Sequence, residues 1–250
     1  MAMKPSKARV RQLLNDLTGF DVVRASGQHT LRSHLSVLIS TYQIDRVIDV
    51  GANEGGFGSL LRDIGFRGAI HSFEPVSSAF QALLGRSAHD PHWDAHNLAL
   101  GAENTVATIN VSKFTQMSSF LPASSCGSGR WPMLAVEAKE QVSVRTLADC
   151  YGKGIVPSGG RVLLKMDTQG FDLEVFKGAL PVRGEICCLL SELSLLPVYE
   201  GMPDFAESIA VYREAGFVVT GFYPITRTES CALNEVDCVL ADPLRLPQGR

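Results

Sequence analysis

The sequence predicts an α/β fold with a mainly parallel sheet and helices on both faces, and three observations carry that prediction. Apolar runs of strand length recur along the 250 residues, with helical patterns between several of them. A glycine-rich turn follows the first of these runs and opens a helix. The last two runs, 217–219 and 236–240, are split by one loop, the pattern of an antiparallel hairpin at the edge of such a sheet.

Residues 1–44 read as a helical extension packed on the core. Val10, Leu13, Leu14 and Leu17 form one apolar stripe, and the basic run Lys4, Lys7, Arg9 and Arg11 is its solvated flank. Leu31, Leu35, Leu38 and Ile39 continue at helical spacing into the first strand. Residues 45–250 read as one globular unit, since no linker divides them. Its strands are expected at 46–50, 69–73, 95–100, 106–111, 142–144, 162–166, 186–190, 217–219 and 236–240. Leu60, Leu61 and Ile64 continue the glycine turn as a helix that Gly65 stops. Further helical patterns fall at 79–84, 173–176 and 205–215, and 223–234 reads as the loop of the final hairpin. Residues 112–139 are dense in Ser, Gly and Pro but carry apolar anchors such as Met117, Phe120 and Trp131, which predicts a lid over the site.

Composition narrows the function classes. Hydrophobic residues at 45% and charged residues at 20% are ordinary for a soluble globular protein. A net charge of −3 gives no general case for nucleic acid. The first residues lack the apolar centre of a signal peptide, and no apolar run is long enough to span a bilayer. The six cysteines form no CxxC, and the Cys187-Cys188 pair sits in an apolar run, so a reducing cytoplasm is the expected setting. His89, His92 and His96 cluster loosely, but Pro91 and the strand near Trp93 argue against a helical ligand pair, and no metal is expected. Oligomeric state is not readable.

The cofactor follows from the first turn. Asp49-Val50-Gly51-Ala52-Asn53-Glu54-Gly55-Gly56 contains neither GxxxxGK[ST] nor GxGxxG, so it is neither a phosphate-binding loop nor a dinucleotide fingerprint. Asp49 would repel a pyrophosphate but suits a cationic ligand. Glu74, about twenty residues on, falls where nucleotide-binding folds place a carboxylate on the ribose hydroxyls. S-adenosylmethionine (SAM) meets these demands with a sulfonium, an ammonium, a ribose and no phosphate. A glycine-rich turn of any α/β protein is the plain alternative.

Asp49 to Gly55, Ser72-Phe73-Glu74-Pro75, Leu98-Ala99-Leu100-Gly101 and Leu164-Lys165-Met166-Asp167-Thr168-Gln169-Gly170 resemble the FkbM family of SAM-dependent methyltransferases. Further blocks agree in order, among them Ser118-Ser119-Phe120-Leu121-Pro122, Val142 to Leu147, Phe176-Lys177-Gly178-Ala179 and Glu192 to Gly201, so the likeness runs from about residue 31 to 240. The resemblance implies a Rossmann-like class I methyltransferase fold and methyl transfer to a hydroxyl of a sugar or glycoconjugate. A polyketide or other secondary metabolite is the alternative acceptor. A nicotinamide-dependent oxidoreductase and a non-catalytic SAM-binding protein are the rivals from other classes. Many relatives carry Val-Glu-Gly-x-Glu where this chain has Thr168-Gln169-Gly170-Phe171-Asp172, so no catalytic glutamate carries over to Gln169.

The expected cofactor contacts are Asp49, Gly51, Asn53, Gly55, Glu74, Pro75, Ala99, Leu100 and Asp167, with Ala99 and Leu100 placed in an adenine pocket by the resemblance. Asp167 and Glu192, at the ends of adjacent strands, are the candidate catalytic acids. Asp167 would be the base or acceptor-orienting group, with helix capping as the alternative. Glu192, Tyr199, Ser118 and Ser119 are expected on the acceptor, a small molecule or glycan. Lys165, in an otherwise apolar strand, is expected to be paired rather than to touch substrate.

Overall fold

The computed structural model of the chain describes residues 7–18 and 29–248. Seven strands form the main sheet: β1 (Arg46–Val50), β2 (Ala69–Phe73), β3 (Trp93–His96), β7 (Val162–Met166), β8 (Ile186–Ser194), β9 (Val218–Arg227) and β10 (Leu233–Ala241). Their order is β3-β2-β1-β7-β8-β10-β9. β1, β2, β3, β7 and β8 run parallel, and β10 is antiparallel to both β8 and β9. The expected edge hairpin is therefore present, with β10 inserted between β8 and the edge strand β9. Its turn is tighter than 223–234, because Thr228 N donates to the Ala232 carbonyl at 2.8 Å.

Alternation along the strands sends successive side chains to opposite faces. Ile48, Val50, Leu164, Met166 and Leu189 pack with Leu147 of α6 (Leu147–Gly152), Phe176 of α7 (Asp172–Ala179) and Tyr212 of α8 (Phe205–Glu214). Val47, Leu163, Leu190 and Val239 pack on the other face with Leu35 and Leu38 of α2 (Leu31–Tyr42), Leu61 of α3 (Gly56–Asp63) and Leu83 of α4 (Ser77–Ser87). Thr30 and Ser33 exchange hydrogen bonds at 3.2 Å, the reciprocal cap that starts α2.

Several expected elements come out differently. The helix α1 (Lys7–Thr18) leaves Val10, Leu13, Leu14 and Leu17 between 42% and 75% exposed, so its stripe is not buried as α2 is. Lys4 and the side chains of Lys7 and Arg11 lie outside the described residues. The run 95–100 is two strands rather than one. Asn97 Nδ2 donates to the Glu74 and Pro75 carbonyls at 2.9 and 3.1 Å, which turns the chain out of the main sheet after His96. Ala99 and Leu100 then make β4 of a separate three-stranded sheet, β4-β6-β5, with β5 (Thr105–Ser112) and β6 (Val136–Arg145). The runs at 106–111 and 142–144 belong to that sheet, which packs Ile109, Val111 and Val142 against Val76 and Ala79.

Residues 112–139 are more ordered than a loop. They hold 3₁₀ turns at Thr115–Met117 and Pro132–Leu134, the short helix α5 (Ser125–Arg130) and the start of β6. The segment is tied down where Asn110 pairs with Ser119 and Ser124 N donates to the Val198 carbonyl at 2.9 Å.

Candidate functional site: two joined cavities at the strand ends

Strand order reverses between β1 and β7, and the space outside their carboxyl ends is where open α/β sheets hold ligands. A cavity of about 450 Å³ lies there, within the range of small-molecule sites. Gly51 leaves β1 at φ +70°, and a Cβ on it would collide with the Asp167 carbonyl, so the two strand ends approach this closely only with glycine. Gly51 N and Ala52 N donate to the Phe73 carbonyl at 3.0 and 3.1 Å, which locks the turn to β2. Gly55, at φ +83°, precedes α3 and lies outside the cavity wall, so it shapes the turn.

Glu74, 5% exposed, ends this arrangement on the β2 side. Its Oε2 accepts from Asn53 N at 2.7 Å and its Oε1 from Val76 N at 2.8 Å. Burial pushes its carboxyl up to about 7, and the two backbone donors restrain that rise. Phe57, Phe73, Leu100 and Ile109 supply apolar wall, and Gly51, Asn53, Pro75, Ala99 and Asp167 also line it. Thr115 closes the turn from the 112–139 segment, its Oγ1 donating to Asn53 Oδ1 at 2.8 Å.

Asp49 is placed differently from its expected role. It is 0% exposed and does not line the cavity. Register explains this: Asp49 is opposite Lys165 of β7, and Lys165 Nζ lies 3.0 Å from its Oδ1. Ser72 Oγ donates to Oδ2 at 3.1 Å. Lys165 also donates to the Gly51 carbonyl at 2.9 Å and lies 3.4 Å from Asp167 Oδ2. Burial by itself would lower the Lys165 ammonium, but Asp49 and Asp167 together hold it above its ordinary value. Lys165 is thus a paired charge, as the desolvation argument requires, and Asp49 is the partner that keeps it.

Asp167 borders the cavity with a side chain 37% exposed. It does not cap α7: Thr168 N and Oγ1 donate instead to Asp172 Oδ1, at 2.9 and 2.6 Å. Beyond it a second cavity of about 300 Å³ is lined by Met117, Trp131, Gln169, Glu192, Ile225 and Glu235 among others. Gln116, Asp167 and Gln169 line both cavities, so the two meet there. Burial, and then the Asp167 charge, raise the Glu192 carboxyl well above its usual range. Asp237, paired with Glu192 across β8 and β10, lines the first cavity and is pushed up to about 6 by burial and by Asp167. A buried carboxylate near another cannot ionise freely, so Asp167 and Glu192, both in the wall of the second cavity, are poised to share a proton.

The remaining expected acceptor residues are drawn in otherwise. Ser118 and Ser119 line the first cavity rather than the second. The Ser119 hydroxyl donates to the Gln169 carbonyl at 2.7 Å, and Ser118 Oγ accepts from Ser112 N at 3.2 Å. Tyr199 is buried, with its hydroxyl 2.9 Å from both the Met117 carbonyl and Gln169 Oε1, and it lines neither cavity. Sequence reasoning missed Thr115, Gln169, Glu235 and Asp237. Only Gln169 had a sequence signal, its place between Asp167 and Gly170; Thr115 arrives on a 3₁₀ turn, and Glu235 and Asp237 on β10, far from the motifs. Among the described residues no group of three or more His, Cys, Asp or Glu is arranged to hold a metal, and no helix is long and apolar enough to cross a membrane.

The residues of the first cavity fit SAM: a carboxylate for a ribose diol, an apolar wall, a carboxylate at the β7 end for a cation, and no phosphate-binding lysine loop. The sequence matches the methyltransferase FkbM domain over residues 49–219. No curated protein matches it. Among solved structures, the chain is similar to Aeropyrum pernix fibrillarin in complex with natively bound S-adenosyl-L-methionine, at 12% identity and TM-score 0.45 over 79% of this chain and 66% of that one. It is also similar to PH1948, described as a putative RNA methyltransferase, from Pyrococcus horikoshii, at 14% identity and TM-score 0.44 over 99% and 100% of the two chains. A third likeness is to precorrin-6y C5,15-methyltransferase from Geobacter metallireducens, at 11% identity and TM-score 0.44 over 88% and 94%.

Proposed function

This chain belongs to the FkbM-domain methyltransferases and uses S-adenosylmethionine, and on that premise we propose that it is an O-methyltransferase acting on a hydroxyl of a saccharide or glycoconjugate. The observation that carries the reading is Asp167, a partly exposed carboxylate in the wall shared by the two cavities. The cofactor supplies an activated methyl group with a good leaving group already in place. What remains for the chain is orientation and proton removal.

Glu74 would hold the ribose hydroxyls, with Asn53 and Pro75 beside it, and Ala99, Leu100 and Phe73 would flank the adenine. Asp167 would face the cofactor from the β7 end and take the acceptor's hydroxyl proton. Trp131 gives the second cavity an aromatic face, and Glu192 and Glu235 give it hydrogen-bond acceptors, a combination that suits the apolar face and hydroxyls of a sugar. Gln116 and Gln169 stand where the two ligands would meet. All six cysteines are free, which supports a reducing, cytoplasmic setting.

Titration calorimetry with SAM and with NAD separates this reading from a nicotinamide enzyme, since only SAM should bind. Transfer of labelled methyl from SAM is then followed on a panel of neutral saccharides and polyketide alcohols. Asp167→Asn should keep SAM binding while kcat falls roughly 10²- to 10⁴-fold, as for loss of a general base. Glu192→Gln should chiefly raise the acceptor KM. Label passing to the polyketides and to no saccharide would overturn the acceptor class, and near-normal kcat in Asp167→Asn would remove the base.

A further inference from the structure

We infer that Gln169 is a positioning residue of this site: its side-chain amide holds the Asp167 and Glu192 carboxylates in the wall between the two cavities. The inference rests on the acid roles proposed above for those two residues. Gln169 has φ +53°, the left-handed region that a non-glycine side chain enters at a cost. The turn is held from outside, because Ser119 Oγ donates to the Gln169 carbonyl at 2.7 Å. Gly170 follows at φ +90°, where a Cβ would press on Met202 and Leu121.

This backbone carries the amide between the acids. Gln169 Nε2 donates to Asp167 Oδ1 at 3.3 Å and to Glu192 Oε1 at 3.4 Å. Its other end meets the Tyr199 hydroxyl, which lies 2.9 Å from Gln169 Oε1 and equally far from the Met117 carbonyl. An ionised Asp167 carboxylate only accepts, so the amide nitrogen faces it and the amide oxygen is left to the phenol. Among the described residues Lys165, 3.4 Å from Asp167, is the ammonium facing the pair, and it is already shared with Asp49. Asp172, Glu235 and Asp237 face it with further negative charge. A neutral donor at position 169 therefore favours ionised carboxylates without adding charge. A strap that merely joined the 112–139 segment to the β7 turn would need the Gln169 backbone and not its amide.

The test reads the carboxyl groups directly. Side-chain carboxyl carbons of the free protein are titrated by NMR, with Asp167→Asn and Glu192→Gln used to assign the two signals. Gln169→Met keeps length and removes both donors, so the apparent pKa values of the pair should rise, by about one unit. Gln169→Glu, which adds a third carboxylate, should raise them further. Tyr199→Phe leaves Gln169 in place and frees its oxygen; it should move the pair in the same direction by less, and it decides the question if Gln169→Met does not fold. Unchanged titration in a folded Gln169→Met, or in Tyr199→Phe where it stands in for it, would overturn the inference. Calorimetry with S-adenosylhomocysteine on the wild-type protein keeps the two readings apart. Failure to bind would remove the proposed function and leave the carboxylate clamp standing, whereas an unmoved titration removes the clamp alone.

Discussion

Lys165→Met should be among the most destabilising single changes in this chain. Lys165 is 5% exposed and Asp49 0%, and their charged atoms are 3.0 Å apart. At an effective dielectric of about 20, that separation corresponds to a gross attraction of about 5 kcal/mol. Among the described residues, the variant would leave Asp49 with Ser72 as its hydrogen-bond donor, and the Gly51 carbonyl without its ammonium at 2.9 Å. Breaking a buried pair from one side typically costs about 3–5 kcal/mol, because the surviving charge stays desolvated. For a chain of this size a loss of about 4 kcal/mol lowers Tm by roughly 8–16 °C. Urea unfolding followed by circular dichroism measures it. The double variant Asp49→Asn/Lys165→Met removes both charges and should recover more than half of the loss. A Lys165→Met protein within about 1 kcal/mol of wild type, or a double variant no better than the single one, would refute the reasoning.

Four further outcomes follow from the site and its surroundings. Glu74→Ala should weaken SAM binding by about 1.5–3 kcal/mol, tenfold or more, measured by calorimetry. Because the Glu74 carboxyl titrates near 7 and ribose hydroxyls favour its ionised form, wild-type affinity should also fall as pH drops below about 7, and in Glu74→Gln that dependence should vanish. His71, buried against His96 and 3.5 Å from Asp94, is held by burial at a pKa of about 4, so the folded state keeps it neutral where the unfolded chain protonates it. Its contribution is complete above pH 6.5 and is lost as pH falls toward 4, by about 3 kcal/mol. Glu74 has the opposite slope, so the difference in urea stability between wild type and His71→Phe, in which Glu74 cancels, should shrink by that amount over this range; a constant difference would count against it. Residues 113–135 should gain hydrogen-exchange protection when S-adenosylhomocysteine binds, since Thr115 clasps Asn53 in the cofactor turn, and equal protection would make the segment a fixed strap.

Periodicity and turn chemistry made much of the fold legible. The β-branched and apolar runs at 46–50, 69–73 and 162–166 became β1, β2 and β7 with the same bounds. The final pair of runs became the antiparallel β9–β10 hairpin. The split of 95–100 was hidden because Asn97 acts through carbonyls of Glu74 and Pro75, a contact that no local pattern announces. The second sheet was hidden for a related reason: a strand's sequence shows its propensity and alternation, but not the strand it will pair with.

The sequence by itself determined β1, β2 and β7, the final hairpin, the glycine turn, the carboxylate that answers it, and the need of Lys165 for a partner. These depend on backbone sterics and desolvation, which act locally and leave a signature in residue type. Tertiary structure alone decided which charge serves which purpose. Register across β1 and β7 put Asp49 behind the cavity wall on Lys165, while Asp167, one residue past the end of β7, stayed exposed at the cavity. Pairing of β8 with β10 brought Glu235 to the second cavity beside Glu192 and Asp237 to the first, from a strand more than forty residues further along the chain. Electrostatic partnership depends on distances of a few ångströms between segments far apart in the chain, and only the folded sheet sets those distances.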